Sequence, residues 1–365
     1  MHAPSVGEGL MARPVLHLLR ERNPALQVAY TFFSPSAAKF AATVGADVAD
    51  YLPFDTSSAA ARLLEALAPR VLVFSKLDVW PLLVAEAARR GVRVALTSAA
   101  VSPTSGRTSL PARLVLRDAY AAIGAAGAVD DASAARLVAL GVRPERVEVT
   151  GDVRYDQAWE RAQSPGAGQA FVARLGTNRP TVVAGSTWAA DEERLLPAWH
   201  RIGASAPGAR LVIAPHEPGP AHTAATVEWA RATGLSAATL ETAAPETDVV
   251  IVDRVGVLAD LYALATVSYV GGGFHAAGLH SLVEPAAHGV PAVFGPQGAD
   301  VRDAVALVSA GGGFVAGDRA ALADRIGGLL RDPVARAAAG EAAQRVIQDG
   351  LGAAERSAAL VQRLL

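Results

Sequence analysis

The sequence predicts an α/β protein of two doubly wound domains facing each other across a cleft. Three observations carry that expectation. The chain has 365 residues, more than one hydrophobic core of ordinary size organises, so two domains of roughly 150 to 200 residues are expected. Its apolar fraction of 51 % comes largely from Ala, Val and Leu, with only 5 Trp, 6 Tyr and 9 Phe, a composition suited to helices and to strands buried on both faces. Short apolar runs alternate with helical stretches of about ten residues in both halves, which is the grammar of a parallel sheet covered by helices.

In the first half the pattern gives a helix at 12–21 and a strand at 28–33 closed by Ser34-Pro35-Ser36. There follow a helix at 55–67, a strand at 71–74, a helix at 81–90 stopped by Gly91 and a strand at 92–97. Residues 119–125 read as a buried strand, 131–140 as a helix stopped by Gly141, and 147–149 as a strand running into Thr150-Gly151-Asp152. The Ser-, Pro- and Gly-rich stretch 162–170 then interrupts the alternation. The domains are therefore placed at 1–160 and 177–365, with a linker at 161–176 and the last helix crossing back to the first domain.

The second half resumes with a strand at 181–184 leading into Gly185-Ser186-Thr187, a helix at 191–202 and a strand at 211–214 ending at Pro215-His216-Glu217. A strand at 249–252, a helix at 258–265 and a strand at 267–270 entering Gly271-Gly272-Gly273 come next. A helix at 282–288 stopped by Gly289, a strand at 291–294, a helix at 301–310 and a mainly helical tail from Arg319 complete the series. Doubly wound sheets bind ligands beyond the carboxyl ends of their strands, so the cleft between facing strand ends is the expected site.

Charge and composition narrow the function. Lys and Arg total 33 against 35 Asp and Glu, a net charge of -2, so there is no global basic field for nucleic acid. The absence of cysteine excludes disulfides, thiolate nucleophiles and thiolate-held metals. The first residues lack the basic segment and apolar run of a signal peptide. No uncharged apolar stretch reaches the roughly 20 residues that cross a bilayer.

Several points in the sequence suit chemistry, each with a structural alternative. Ser5-Val6-Gly7-Glu8-Gly9 is expected just before the first helix, whose Pro14 then falls in an early turn. Glycines on both sides of Glu8 would turn the backbone sharply and leave the carboxylate reachable, as a base for a hydroxyl acceptor or as a helix-start charge favoured by the dipole. Gly271-Gly272-Gly273, Gly278 and His280 offer either a phosphate cradle of N–H groups or a tight strand-to-helix turn. His280 and Glu284, spaced i and i+4, would share a helix face, with Glu284 holding a ribose diol or serving as a local cap. Ser186 and Thr187 suit an anion or an N-cap. His216 sits at a strand end, suited to donate to phosphate or carboxylate, and its spacing to Glu217 and His222 makes no convincing zinc site.

Joined, these segments resemble the 3-deoxy-D-manno-octulosonic acid (Kdo) transferase family of lipopolysaccharide synthesis, over nearly the whole chain. The resemblance rests on Ser5-Val6-Gly7-Glu8, Thr150-Gly151-Asp152-Val153-Arg154-Tyr155-Asp156, Gly185-Ser186-Thr187, Ala214-Pro215-His216-Glu217, Gly271-Gly272-Gly273-Phe274 and Glu284-Pro285-Ala286-Ala287-His288-Gly289-Val290-Pro291. It implies the GT-B fold, two Rossmann-like domains with the donor bound chiefly by the second. It also implies inverting transfer of Kdo from CMP-Kdo to a hydroxyl of a lipid A precursor, with no cofactor and no catalytic metal. Under it Glu8 matches the general base and Glu284 the glutamate near the nucleotide ribose. Ser186, Thr187, His216, Gly271, Gly272, Gly273 and His280 fall in the donor region. Lys76, Asp78 and Arg154 become acceptor or sugar-carboxylate contacts.

The chain also departs from the family. Many members carry two glutamates before the Trp-Pro of the third strand-to-helix loop, where this chain reads Ser75-Lys76-Leu77-Asp78-Val79-Trp80-Pro81. Many end the next strand in Asn-Ala-Arg, where this chain has Ser98-Ala99-Ala100. The family usually has a membrane anchor ahead of Ser-Val-Gly-Glu, and here that motif begins at residue five. Either an anchor has been trimmed from this chain or its association with the cytoplasmic face of the inner membrane is peripheral, through Leu10, Met11, His17 and Arg20, of which Leu10 and Met11 suit the core equally. Another GT-B sugar-nucleotide transferase or epimerase, or a non-catalytic glycan-binding relative, are the alternative readings.

Overall fold

A computed structural model describes residues 1–103, 105–164 and 166–365; Pro165, inside the linker stretch, lies outside the described residues. The chain divides into two compact units, one of Met1–Gln157 with Gly350–Leu365 and one of Ala158–Asp349.

The first unit carries β1 (Ala29–Phe32), β2 (Val48–Tyr51), β3 (Val71–Ser75), β4 (Arg93–Ala99), β5 (Ala125–Ala128) and β6 (Val147–Val149). β1 pairs with β2, and β3 to β6 pair in chain order, all in parallel. The extended segment Met1–Ala3 joins the two sets, since His2 bridges to both Thr31 and Phe74. The His2 N–H donates to the Val73 carbonyl at 2.7 Å and the Ala3 N–H to Thr31 at 3.0 Å. Connections therefore run outward in both directions from the gap between Met1–Ala3 and β3. That gap is a topological switch point, where a crevice for ligand opens at the carboxyl ends. Neighbouring strand residues go to opposite faces. Phe74 and Leu96 join the core with Leu64, Ile123 and Leu137, while Val73 and Ala95 join Met11, Val15, Leu19 and Leu360 of the two helices on the other face.

The first helix, Val6–Arg22, begins six residues before the expected start at 12 because Ser5 caps it, accepting the Gly7 N–H at 3.2 Å. Pro14 is thereby interior rather than in an early turn. Proline at that position leaves the carbonyl four residues back without its donor. The Gln157 amide supplies one, donating to the Leu10 carbonyl at 3.3 Å. The last helix, Ala353–Gln362, belongs to this unit, its first N–H groups held by the Asp156 carboxylate at 2.6 Å (Gly352) and 2.8 Å (Ala354).

One expected strand is displaced. Residues 119–121 finish the helix Leu110–Ala121, and the strand is Ala125–Ala128. Alanine favours helix locally, whereas Ala125–Ala128 has no β-branched residue and is extended because two strands flank it. Its smallness has a purpose, for a Cβ on Gly127 would lie 2.5 Å from the Thr150 hydroxyl.

The second unit carries β7 (Thr181–Thr187), β8 (Arg210–Pro215), β9 (Ala237–Thr239), β10 (Val249–Ile251), β11 (Val267–Val270), β12 (Ala292–Phe294) and β13 (Gly313–Val315). Its parallel order is β13-β12-β11-β7-β8-β10-β9. Val182, Leu211 and Ile213 pack on one face and Val183, Val212 and Ala214 on the other. The chain works outward from β7 on one side and returns to β11 on the other, so the switch point lies between them, where Val270 is in register with Gly185.

Candidate active site

At the first unit's switch point stands Glu8. It is not in a loop before the helix, as expected, but is the third helical residue. The Ser5 hydroxyl donates to its Oε2, and the Lys76 ammonium lies 3.2 Å from its Oε1. The Ser75 hydroxyl donates to its main-chain carbonyl at 3.1 Å. Burial pushes the carboxyl's pKa up, but the Ser5 hydrogen bond and the Lys76 charge together outweigh it and hold the group below its ordinary value. Its side chain stays 17 % exposed. Each oxygen keeps lone-pair capacity for an incoming hydroxyl.

The glycines beside Glu8 do not make a turn. A Cβ on Gly9 would lie 2.5 Å from the Phe40 ring and 2.6 Å from the Tyr30 hydroxyl, so Gly9 lets those rings pack against the helix. The Tyr30 hydroxyl is buried without a hydrogen bond among the described residues, and burial with the Glu8 charge pushes its pKa up to about 12.

Asp78 is anchored rather than open. It faces His2 Nε2 at 3.2 Å, accepts from Trp80 Nε1 at 2.9 Å, and has the Arg107 guanidinium at 3.8 Å. Burial raises its pKa, and the His2 and Trp80 hydrogen bonds outweigh that and lower it. Arg154 is engaged with its neighbour: its Nε lies 3.1 Å from both Asp152 oxygens and a terminal nitrogen lies 2.7 Å from Oδ2. Among the described residues only four non-glycine residues have positive φ, and three of them, Lys76, Ser98 and Ser186, lie within or just beyond the carboxyl-terminal ends of β3, β4 and β7. Backbone strain of this kind gathers where geometry is imposed by a site.

In the second unit, Gly271, Gly272 and Gly273 follow β11 beside the end of β7. The cradle of N–H groups expected there is partly taken from within the unit. The fully buried Asp191 carboxylate accepts from the Gly272 N–H at 2.8 Å, the Phe274 N–H at 3.3 Å, the Trp188 N–H at 2.9 Å and the Tyr269 hydroxyl at 2.7 Å. The Gly271 N–H goes to the Gly185 carbonyl at 2.9 Å. Glycine is required instead for close backbone approach: a side chain on Gly271 would strike the Ser186 carbonyl, and one on Gly273 would strike Gly295. Gly272 also has φ +90.

Trp188, not Ser186 or Thr187, caps the following helix, Ala189–Ser205. The Thr187 hydroxyl donates to Glu192 at 2.6 Å, whose carboxylate also holds His222 Nε2 at 2.8 Å. Glu284 lies in the short helix Val283–Ala287, so His280 precedes that helix and the two do not share a helical face. No hydrogen bond occupies the Glu284 carboxylate among the described residues, and its charge, after burial, raises the pKa of the Tyr262 hydroxyl. His280 turns instead to other rings. Its centroid is 4.6 Å from that of His216, and its Nε2 is 3.0 Å from Trp188 Nε1. Trp188 stacks on His216 at 4.4 Å and on His275 at 4.2 Å.

Ser186, Thr187, His216, His280 and the glycine loop thus meet at one switch point. Sequence reasoning missed Trp188, His275 and Asp191. Tyr269, the aromatic residue of a buried strand, was the available signal, since most buried tyrosine hydroxyls find a partner. No three His, Asp or Glu side chains converge as metal ligands among the described residues.

Of the four residues expected at a membrane surface, His17 is exposed and Leu10 half-buried. Met11 is 6 % exposed and belongs to the core, and Arg20 holds Asp47 at 2.6 Å. Leu110, Leu114 and Val115 on the Leu110–Ala121 helix are instead each 75 % exposed. No described helix is long and apolar enough to cross a membrane.

Paired doubly wound units, each with candidate groups at its switch point, define the GT-B class. The backbone is similar to UDP-GlcNAc 2-epimerase from Neisseria meningitidis bound to UDP-GlcNAc, with TM-score 0.70 and 13 % identity, covering 100 % of this chain and 98 % of that one. At that identity the likeness speaks for the fold alone. Residues 1–157 match the family profile of 3-deoxy-D-manno-octulosonic-acid transferase (kdotransferase). The chain is 31 % identical to the 3-deoxy-D-manno-octulosonic acid transferase of Bordetella pertussis over 98 % of its own length and 85 % of the relative's. It is 24 % identical to that of Haemophilus influenzae, over 98 % and 84 %. The chain belongs to the Kdo transferase family and is a glycosyltransferase.

Proposed function

We propose that this chain transfers Kdo from CMP-Kdo to a hydroxyl of a lipid A precursor, with inversion and without a metal, using Glu8 as general base. The observation that carries the reading is the Glu8 carboxylate itself: its pKa is held low by Ser5 and Lys76, yet it remains partly exposed at a switch point. As the anomeric C–O bond to CMP breaks, its electron pair leaves with the phosphate. The acceptor oxygen forms the new bond and its proton passes to Glu8. A single displacement inverts the anomeric carbon.

CMP is assigned to the second unit. Because Asp191 occupies the Gly272 and Phe274 N–H groups, phosphate recognition falls chiefly on His216, His280 and Ser186, and the uncommitted Glu284 carboxylate is the natural acceptor for a ribose diol. With Lys76 and Arg154 already paired to carboxylates, the Kdo carboxylate must compete for them. The exposed Leu110, Leu114 and Val115 give the acceptor's lipid a surface on the first unit, at the cytoplasmic face of the inner membrane.

The test is to incubate the protein with CMP-Kdo and a lipid A precursor, in EDTA, and to determine mass and anomeric configuration of the product. Calorimetry should favour cytidine over uridine nucleotides. A uridine preference would favour the epimerase-type alternative that the fold allows; failure of both nucleotides to bind would favour the glycan-binding one.

A further inference from the structure

Trp188 occupies an unusual position for an indole. It sits where β7 turns into the next helix, beside the glycine loop, with its ring stacked against His275 at 10° between planes and against His216 at 30°. Its Nε1–H points at His280 Nε2 from 3.0 Å. An indole nitrogen can only donate. The facing nitrogen of His280 must therefore be the acceptor, which leaves the imidazole proton on Nδ1, and no hydrogen bond occupies that Nδ1 among the described residues. A cationic His280 would carry protons on both nitrogens and could not accept from the indole.

Resting on the assignment of the nucleotide to the second unit, we propose that Trp188 is a positioning residue which fixes His280 as the neutral imidazole with its proton on Nδ1, an uncharged hydrogen-bond donor for the phosphate of the donor nucleotide. The surroundings agree. The His280 ring lies over Gly272, and its main-chain N–H donates to the Gly271 carbonyl at 3.1 Å. The groups facing it are His216, His275 and Asp191. Burial and the two histidines disfavour its cation, and Asp191 opposes them less strongly. The Asp191 charge is already shared among four hydrogen bonds. His275 is itself fixed in the opposite tautomer, since its Nδ1 accepts from the Ala277 N–H at 3.2 Å. A neutral donor keeps one protonation state through the neutral pH range, so donor binding does not switch with small changes of pH.

The test combines nitrogen-15 NMR of the imidazoles in the ligand-free protein with CMP titration. The unmodified protein should show His280 protonated on Nδ1 and titrating below the ordinary histidine value. Trp188→Phe keeps an aromatic ring in the stack but removes the N–H. The His280 midpoint should then rise by about 0.5 to 1 pH unit, the equivalent of one net hydrogen bond, and CMP affinity should fall about 5-fold. An Nε2–H tautomer in the unmodified protein, or an unmoved midpoint in Trp188→Phe, overturns the proposal whatever nucleotide binds. Absence of CMP binding by the unmodified protein, with the tautomer as stated, overturns the nucleotide assignment and the phosphate role together while leaving the indole–imidazole bond. If Trp188→Phe fails to fold, His280→Gln and His280→Leu take its place. The Gln carbonyl can accept from the indole while its amide donates where Nδ1–H stood, so CMP affinity should stay within about 3-fold for Gln and fall about 10-fold for Leu. Equal losses in the two variants overturn the proposal.

Discussion

The Lys76 ammonium lies 3.2 Å from the Glu8 carboxylate and joins the end of β3 to the first turn of the Val6–Arg22 helix. Lys76 reaches it from a left-handed backbone conformation, φ 67, which is costly for a residue with a Cβ. The pairing also sets the chemistry. A carboxyl held below its ordinary pKa is already ionised at neutral pH and ready to accept a proton, at the expense of intrinsic basicity.

Lys76→Met therefore makes a directional prediction. Removing the charge and hydrogen bond leaves burial, which raises the Glu8 pKa, opposed chiefly by Ser5. The base form is present above that pKa and lost as pH falls through it, so the acid limb of kcat/KM should move to higher pH. A pH profile of both proteins checks this, and an unmoved limb would separate Lys76 from the ionisation of Glu8.

Glu8→Gln keeps size and the capacity to accept from Ser5 while losing the proton acceptor. Turnover should fall roughly 10²-fold or more, the loss expected when a general base is removed. CMP affinity should be unchanged, because the nucleotide is assigned to the other unit, and a cooperative unfolding transition, lowered only by the loss of the Lys76 pairing, shows that the variant folds. Glu284→Gln should show the reverse split, with weaker CMP binding and turnover recovered at saturating donor. Near-normal turnover in Glu8→Gln would remove it from the mechanism.

Asp191→Asn tests whether the glycine loop is held from beneath. Hydrogen bonds to a charged partner are worth about 1.5 to 3 kcal/mol each, and four converge on this buried carboxylate. Asparagine keeps one oxygen and turns an NH2 toward main-chain N–H groups that cannot accept it. The loss should be about 3 kcal/mol or more, read as a lower urea midpoint at unchanged m-value. An unchanged midpoint would mean that the loop is held by its glycine backbone contacts instead.

Much of this arrangement was legible in advance, for reasons that particular residues show. The strands at Val267–Val270 and Val147–Val149 and the helix at Asp131–Leu140 have the residues read from sequence, because β-branched runs and capping residues act locally. Met1–Ala3 escaped notice because it is extended through bonds to Ala29, Thr31, Val73 and Ser75, all more than twenty residues away. The glycine cluster suits a phosphate cradle or a tight strand-to-helix turn, and its sequence does not show that the Gly272 and Phe274 N–H groups are taken by Asp191. Nothing local to Asp191 says that its carboxylate turns inward to Gly272 and Tyr269. His216 and His280, 64 positions apart by their numbers, meet only because β8 and β11 flank β7.

The membrane prediction turns on the same difference between pattern and burial. Leu10 and Met11 suit either a membrane surface or the core by pattern alone, and Met11 is packed with Val15, Leu19 and Val73, so Met11→Ser should cost stability rather than lipid binding. Leu110, Leu114 and Val115 present the opposite case. Leu110 and Leu114 are spaced i and i+4 on one helix, both are 75 % exposed, and the exposed Arg113 and Arg117 repeat the same spacing beside them. The buried side of that helix is already occupied by Ala119 and Tyr120. Apolar groups able to enter the headgroup boundary, flanked by guanidiniums worth about 1 kcal/mol each near an anionic surface, suit peripheral docking. Leu110→Ser, Leu114→Ser and Val115→Ser combined should change stability little, since exposed sites seldom shift it by more than about 0.5 kcal/mol each. Co-sedimentation with phosphatidylglycerol vesicles should fall about 10-fold or more. Replacing Arg113 and Arg117 by Gln should weaken binding at low salt and leave a smaller difference at 0.5 M salt, where charge attraction is screened. Turnover on a short, water-soluble acceptor should be retained by both variants, because neither removes a group that touches Glu8. Parent-like vesicle binding by the triple variant would rule out this helix as the lipid contact, and binding that also ignored salt would rule out an electrostatic approach to the membrane by this face.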